Sequence, residues 1–340
     1  KLNVEGYGGM IMSTWLDRPL SAAGRVLVRD EAAATLESRL VDLDRDLLVI
    51  PSLAIHMDRT LNSGHAFNPQ VDMQPLYGLE GSKLFPALLA EAAGVKEEDI
   101  VDFDLSLYTR QAPTRIGPDG ELFMAPRIDD LECAATTLYG FLNAAPETDS
   151  ACAPVWAMFD NEEVGSSTRQ GADSSFLRDV LDRILNAIPH SAQAQAQAFA
   201  NSFVLSADNA HAVHPNFADK ADPCNKVILG KGVVVKVNAS QKYTTSGLTG
   251  AAFTAICEKA GVPVQTFANR ADVAGGSTLG NLLGRQILMP MVDIGVGQLA
   301  MHSAMETASC KDAEYLANAC AAYYNTPIFQ PEDGQWKLGL

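Results

Sequence analysis

The sequence lacks the features that mark a membrane protein, a nucleic-acid-binding protein or a disulfide scaffold. No apolar run reaches the roughly 20 residues that cross a bilayer, and no signal peptide is visible. Acidic residues outnumber basic ones by 41 to 25, and the net charge of −16 argues against a phosphate-binding surface. The six cysteines form no CxxC pair, which argues against a zinc knuckle and favours free thiols in a reducing cytoplasm. We therefore expect a cytoplasmic protein without a membrane or nucleic-acid partner.

Two common catalytic motifs are also missing. The sequence contains no GxSxG nucleophile turn and no GxxxxGK phosphate loop. The glycine-rich stretch GGSTLG at 275–280 lacks the lysine of a phosphate loop, and a tight turn that lines a pocket is its expected role. Serine hydrolysis and nucleotide binding therefore have little support.

The order of predicted elements divides the chain into two parts. Residues 1–115 are expected to form a β-rich domain, with strands at 24–30, 47–56 and 100–109 and a short helix at 82–95. The strand at 100–109 alternates cleanly, so its face with Val101, Phe103, Leu105 and Leu107 is expected to be buried. From 116 to 340 strands and helices alternate, which predicts an α/β fold with a central mixed sheet flanked by helices. In that part we predict strands at 154–159, 202–207, 232–238, 263–268 and 288–296, and helices at 131–145, 174–188, 192–201, 245–261 and 311–325.

Acidic and histidine residues follow the predicted strands of this second part. The apolar run VWAMF leads to Glu162 and Glu163, and Asp208 follows the next predicted strand. Asp129 lies in the turn into a helix, and His302 follows the predicted strand that ends at 296. Because ligands of an open α/β sheet collect at the carboxyl ends of its strands, we expect these side chains to lie together.

Each of these residues also has an ordinary structural interpretation. An aspartate before a helix is most often an N-cap, adjacent glutamates are usually solvated, and a lone histidine usually serves the fold. Their shared position favours a site, because carboxylates packed together repel and require cations. Oxygen and imidazole ligands without thiolates fit Zn²⁺, Mn²⁺ or Co²⁺, and three carboxylates suit two metal ions bridged by one of them. Two adjacent glutamates can then divide the work, one as a ligand and the other as a base.

Several stretches in sequence order carry a resemblance to a known family. They are FDNEEVGSSTRQGA, SADNAHAVHPN, KGVVVKVNASQKY, GGSTLG and VGQLAMHSAMETA, preceded by VEGYGGMIMSTWLDRPLSAAGRV and IPSLAIHMDR. Together they resemble the M18 family of metalloaminopeptidases, the aspartyl aminopeptidases, over nearly the whole chain. The resemblance implies a catalytic α/β domain interrupted by a β-rich dimerisation domain, assembly into a tetrahedral dodecamer, and two metal ions, usually zinc.

The same resemblance implies roles for individual residues. Asp129 matches the bridging aspartate, Glu163 and His302 match the other ligands of one metal, and Asp208 matches a ligand of the second. Glu162 matches the general base. The positions that match substrate contacts are His211, Lys236, Tyr243 and His56, the last reaching the site from the dimer partner. Lys236 is the only charge in its predicted strand and is expected to set an acidic preference, with an internal salt bridge as the alternative. His214 is expected to be structural.

One motif of the family is missing. Its members carry a His-Thr-Asp-Ser-Pro motif before the dimerisation domain, and that histidine ligates the same metal as Asp208. His56 and His65 are the first histidines of this sequence, and neither lies in such a context. We expect a leading segment to precede Lys1 and supply this histidine; an impaired relative is the alternative.

The leading functional hypothesis is an aminopeptidase that removes one N-terminal residue, preferably Asp or Glu, from peptides. The alternatives are a non-catalytic shell or cargo protein built on the same dodecamer, and the same chemistry with neutral Leu or Met specificity. The expected partners are peptide substrates and further copies of the chain. The expected cofactors are two divalent metal ions, with zinc first.

Overall fold

The chain forms two compact units, Lys1–Pro113 and Thr114–Leu340. The computed structural model describes residues 1–146, 152–332 and 334–339. Within the described residues, no helix combines the length and the apolar composition that crossing a bilayer requires. The assignment of the first unit as a dimerisation domain stays a prediction.

The first unit is built on a three-stranded antiparallel sheet. Its strands are β1 (Leu20–Asp30), β2 (Thr35–Asp42) and β3 (Ile100–Thr109), in the order β2-β1-β3. Two helices lie between β2 and β3 in the chain, α1 (Pro69–Asp72) and α2 (Phe85–Ala93). Valines on one face of β1, Val26 and Val28, pack with Leu89 of α2 and form the core of this unit.

Two sequence predictions for the first unit need correction. The stretch 47–56 is not a strand, because only isolated bridges at Leu48 and Val49 form. Pro51 lies two residues after Val49, and proline removes the backbone donor that a continuing ladder needs. The strand at 100–109 is confirmed, but Val101 and Phe103 on its apolar face are about half exposed.

The second unit is a mixed α/β fold, as predicted. Its strands are β4 (Thr114–Ile116), β5 (Leu122–Ala125), β6 (Val204–Ala207), β7 (Ala210–His211), β8 (Val233–Lys236), β9 (Val264–Phe267), β10 (Met291–Gly295), β11 (Gly297–Leu299), β12 (Glu306–Ser309), β13 (Ile328–Glu332) and β14 (Gln335–Leu338). Its helices are α3 (Ile128–Asn143), α4 (Phe176–Asn186), α5 (Ala192–Ala200), α6 (Gly247–Lys259), α7 (Leu279–Leu283) and α8 (Cys310–Tyr324).

Two sheets of this unit meet end to end. One has the order β6-β10-β8-β9 and the other the order β4-β5-β12-β11-β7, while β13 and β14 form a separate hairpin. β6 continues into β7 beside β10 and β11, and both pairs are parallel. α6 and α8 cover β8 and β10 with a buried apolar core that includes Val235, Phe253, Ile256, Ile294 and Leu316.

The predicted buried strand at 154–159 is wrong. No strand forms there, and Val155 and Met158 are 49% and 58% exposed. Neighbouring side chains hold the segment instead: Tyr324 donates to the Val155 carbonyl at 3.0 Å, and the Trp156 indole donates to Thr137 at 3.0 Å. The run is apolar enough for a strand, but none of the described strands pairs with it.

Candidate active site

Asp129 reaches the site from an irregular start of α3. Arg127 occupies the N-cap position with a left-handed φ of 57°, and Asp129 and Asp130 have non-helical backbone angles with a cis peptide bond between them. The N-cap interpretation of Asp129 is therefore wrong. Its buried carboxylate contacts His302 instead.

Glu162 and Glu163 lie in a single 3-10 turn, Glu162–Val164. The residues that flank the turn, Asn161 and Gly165, have left-handed φ angles of 59° and 98°. The Asn161 backbone donates to the Asp160 carboxylate at 2.8 Å, and its side chain donates to Thr168 at 3.0 Å. Asp160 thus supports the loop, and the turn places both glutamates next to each other in the second unit.

Asp208 occupies the two-residue break between β6 and β7. Its backbone N–H donates to the carbonyl of Ile294 at 3.0 Å, so the chain keeps its alignment with β10 through the break. The backbones of Asp208 and Gly295 lie so close that a Cβ on Gly295 would be 1.9 Å from the Asp208 carbonyl oxygen. Glycine at this position is therefore a condition for the placement of Asp208.

His302 lies in the turn that joins β11 to β12. Its backbone is left-handed with a φ of 67°, which is uncommon for a residue with a side chain. The backbone N–H of His302 donates to the Glu306 carboxylate at 2.6 Å. This bond holds the turn that presents the imidazole.

Three of the predicted ligands converge on one point. His302 Nε2 lies 3.3 Å from Asp129 Oδ2 and 3.2 Å from Glu163 Oε2. One ligand atom from each of these residues lies within 4.8 Å of the others. A second group with the same spacing consists of Asp129, Asp130 and Asp208, so Asp129 belongs to both.

The carboxylates of the site disfavour one another's charge. Burial, followed by the charges of Asp208, Glu163 and Asp129, raises the pKa of Glu162 to about 7. Burial and the charge of Asp129 raise the pKa of Glu163 to about 7, and burial raises the pKa of Asp208 to about 6. The hydrogen bond to Asp129 raises the pKa of His302 to about 9. A cation bound here would relieve this repulsion.

Lys236 supplies a fixed positive charge on the Asp208 side. The residue is 2% exposed, and its Nζ lies 3.2 Å from Asp208 Oδ2 and donates to the Asn209 carbonyl at 2.7 Å. Burial would lower the pKa of Lys236, but the carboxylates of Asp208 and Asp293 raise it above its ordinary value. The Tyr243 ring lies 5.7 Å from Nζ and is itself buried. Lys236 and Tyr243 therefore lie together beside the candidate metal ligands.

The remaining predicted histidines lie in different settings. His211 ends β7 and pairs with Gln298 of β11, so it belongs to the same sheet as the site. His56 is exposed in a turn of the first unit. His214 accepts the Asn216 backbone N–H at 3.1 Å, and its ring lies 5.0 Å from the Phe217 ring at a tilted angle, which is the structural role expected for it.

The donor set and its spacing fit a zinc ion. Zinc takes nitrogen and carboxylate oxygen ligands at about 2.0–2.2 Å, and catalytic sites use three protein ligands and keep one position open. Two ligand atoms at that distance and at a tetrahedral angle lie about 3.4 Å apart. The separations of 3.2 and 3.3 Å around His302 Nε2 match this value. Without a metal, the same three side chains form an ion pair of protonated His302 with two carboxylates.

Sequence reasoning missed three residues of the site. Asp130 adjoins Asp129, Asn209 bridges Lys236 to Glu132, and Glu306 contacts two ligand turns. Glu306 follows His302 by four residues in MHSAME, and this spacing was the one available signal. Asp130 lies in a non-helical turn and Asn209 in a strand break, and sequence periodicity predicts neither feature.

In the α/β unit, two carboxylates and an imidazole cluster beside a further glutamate. This arrangement is typical of metal-dependent hydrolases of this architecture. The profile of the family described as Aminopeptidase I zinc metalloprotease (M18) matches residues 1–324. The chain therefore belongs to the M18 family of zinc metalloaminopeptidases, as the sequence motifs had indicated.

Individual relatives agree with this assignment. A Clostridium acetobutylicum protein named Probable M18 family aminopeptidase 2 is 43% identical over 330 residues, which cover 96% of this chain and 76% of that protein. The solved structure of the Ape4 and Nbr1 complex contains a chain with 36% identity and a TM-score of 0.90, over 95% of this chain and 66% of that one. The S. cerevisiae mApe1 dodecamer has a TM-score of 0.76 and 25% identity, over 94% of this chain and 71% of that one. The chain thus spans about three quarters of the length of the curated relative.

Proposed function

We propose that this protein is a binuclear-metal aminopeptidase, with zinc as the first choice of metal, that removes an N-terminal Asp or Glu from peptides. The observation that carries the proposal is the convergence of Asp129, Glu163 and His302, whose ligand atoms lie within 4.8 Å of one another. Glu162 is the neighbour of one ligand in the same turn. A base beside an open metal position is the arrangement that metal-assisted hydrolysis requires.

Each residue takes a specific role in this proposal. Asp129, Glu163 and His302 would hold one metal ion, and Asp129 and Asp208 would contribute ligands to the second. When bound, divalent metal ions polarise the scissile carbonyl and lower the pKa of the attacking water. Glu162 accepts a proton from the water and returns it to the leaving amine. A carboxylate beside an open metal position can accept and release a proton in this way.

The acidic preference is proposed to come from Lys236. A buried ammonium group requires an anionic partner, and Lys236 has one in Asp208 at 3.2 Å. A cation at Asp208 would compete for that carboxylate and leave an ammonium proton for a substrate carboxylate. The rings of His211 and Tyr243 each lie 6.1 Å from the Phe267 ring, and both residues are proposed as further substrate contacts. Neutral Leu or Met specificity is the alternative, with Lys236 serving only Asp208.

We also propose that the protein is a homo-oligomer, with a dimer as the building block and a tetrahedral dodecamer as the assembly. The S. cerevisiae structure to which the chain is similar is a dodecamer, which supports this part of the proposal. In such an assembly His56 would act in the site of a partner subunit. A cytoplasmic location is proposed because Cys133, Cys257 and Cys320 are buried free thiols.

The test is hydrolysis of chromogenic amides of Asp, Glu, Leu and Met by the full chain, before and after chelation and after zinc is returned. We expect the Asp and Glu amides to be cleaved best, activity to disappear on chelation, and zinc to restore it. Glu258→Gln, at an exposed position of α6, is the matched control for Glu162→Gln and should keep full activity. Zinc binding without hydrolysis of any amide would favour the non-catalytic shell, and equal rates on Asp and Leu amides would refute the acidic preference.

A further inference from the structure

A buried carboxylate that belongs to neither ligand group lies between two of the proposed metal ligands. Glu306, the first residue of β12, is 2% exposed. Its Oε2 accepts the backbone N–H of Asp129 at 2.9 Å, and its Oε1 accepts the backbone N–H of His302 at 2.6 Å. No Lys or Arg forms an ion pair with Glu306 within the part of the chain that the structure describes.

The topology explains how one side chain reaches both turns. β12 lies between β5 and β11 in the sheet and runs antiparallel to both. β5 and β11 therefore end at the edge where β12 begins. β5 leads through a short turn to Asp129, and β11 leads to His302. Glu306 starts β12 at that same edge and is within reach of both turns.

The two backbone N–H groups that Glu306 accepts belong to residues outside regular helix and strand geometry. His302 is left-handed, and Asp129 is non-helical within the first turn of α3. The left-handed backbone of His302 in particular persists only where its surroundings fix it. A carboxylate that accepts two backbone N–H groups makes charge-assisted bonds, which are stronger than neutral ones.

We propose that Glu306 is a positioning residue that sets the separation of Asp129 and His302 by accepting a hydrogen bond from the backbone of each. The inference rests on the proposed metal site, because its consequence is the affinity of that site. Groups that orient metal ligands typically change metal affinity by about 10–100-fold when they are removed. Glu306 does not itself touch the metal or the substrate in this proposal.

A second buried carboxylate in the same unit provides a matched control. Asp312 in α8 is 0% exposed and also accepts two backbone N–H groups, from Gly230 at 2.6 Å and Gly232 at 2.8 Å. Neither glycine belongs to the site. Asp312→Asn should therefore lower the melting temperature, as Glu306→Gln should, without a matching loss of metal affinity.

The experiment titrates Zn²⁺ into the metal-free full chain by calorimetry and records the visible spectrum of the Co²⁺ form. Glu306→Gln keeps the length of the side chain and loses its charge, whereas Glu306→Asp keeps the charge and reaches one amide at most. We expect both variants to bind zinc about 10–100-fold more weakly at the tighter site and to shift the Co²⁺ bands. Asp312→Asn should bind zinc within about threefold of the wild type.

Three outcomes would overturn the inference. They are zinc binding within about threefold of the wild type in either Glu306 variant, an equal loss of affinity in Asp312→Asn, and failure of both Glu306 variants to fold while Asp312→Asn folds. The last outcome would assign Glu306 to the fold alone. A wild-type chain that binds no zinc would refute the proposed function as well, so the two failures can be told apart.

Discussion

Glu132→Gln should stabilise the metal-free protein at neutral pH and leave its stability unchanged in acid. Glu132 lies in α3, is 8% exposed, and accepts the Asn209 side-chain N–H at 3.0 Å. Burial raises the pKa of Glu132 to about 8, and the charges of Asp312 and Glu306 act in the same direction. Glutamine has the shape of the protonated glutamate and keeps an oxygen for Asn209.

The sign and size of the effect follow from proton linkage. The folded state keeps the Glu132 proton up to a pKa of about 8, whereas the unfolded chain releases it near the ordinary value of 4.5. Protonated Glu132 therefore makes its full contribution to the free energy of unfolding below the unfolded pKa. That contribution is lost as the pH rises towards the folded pKa. Each pH unit in that window lowers the free energy of unfolding of the wild type by about 1.4 kcal/mol. The glutamine variant should therefore be more stable than the wild type by at most about 3 kcal/mol at pH 7 and by almost nothing at pH 4.5.

Urea unfolding of the wild type and the variant between pH 4.5 and 8.5, in the presence of a chelator, measures this difference. Glu258→Gln, an exposed substitution in α6, serves as the control and should show no such pH dependence. A gain of the same size at pH 4.5 and pH 7.5 would refute the assignment, as would a loss of stability at pH 7.5. Either result would mean that Glu132 is ionised in the folded protein.

Three further predictions concern the site itself. Glu162→Gln should keep its zinc and lose at least about 10²-fold in kcat. Glu163→Gln should lose both activity and zinc. Equal zinc loss in both variants, measured by metal analysis, would contradict the division of roles between base and ligand. Lys236→Met should lower the free energy of unfolding by about 3–5 kcal/mol, because Asp208 would stay buried without its partner. It should also reduce hydrolysis of Asp amides more than hydrolysis of Leu amides. An equal loss of activity on both amides would leave Lys236 with only its ion pair to Asp208. Mixed oligomers of His56→Ala and Glu162→Gln subunits should recover part of the activity, and verified mixed dimers without recovery would argue that His56 does not act across subunits.

The sequence was most informative about the regular elements of the second unit. The strands β6, β8, β9 and β10 lie in short apolar runs, α4 has an amphipathic pattern, and these elements and the helices α6 and α8 form where the sequence predicts them. The apolar run at 154–159 has the composition of a strand, yet it forms none. Composition reports that a segment is apolar, whereas a strand also needs a partner for its backbone.

The candidate site was predictable in its residue types but not in its geometry. Glu163 and His302 were singled out after predicted strands and Asp129 in a turn into a helix; the three do meet, although the strand predicted before Glu163 does not form. The local features found around them are a left-handed histidine, a kinked helix start and the buried Glu306, and none of these has a periodic signature. The setting of Lys236 depends on the strand break at Asp208, which only the three-dimensional arrangement reveals.

The central claim is that Asp129, Glu163 and His302 hold a metal ion beside Glu162. An anomalous-difference map at the zinc absorption edge, from crystals of the full chain grown with Zn²⁺, tests it directly. The account predicts a strong peak within about 2.0–2.2 Å of one atom from each of the three ligands, and a second peak near Asp208 that shares Asp129. A map in which His302 still pairs with Asp129 and Glu163, with zinc bound elsewhere or absent, would contradict the claim.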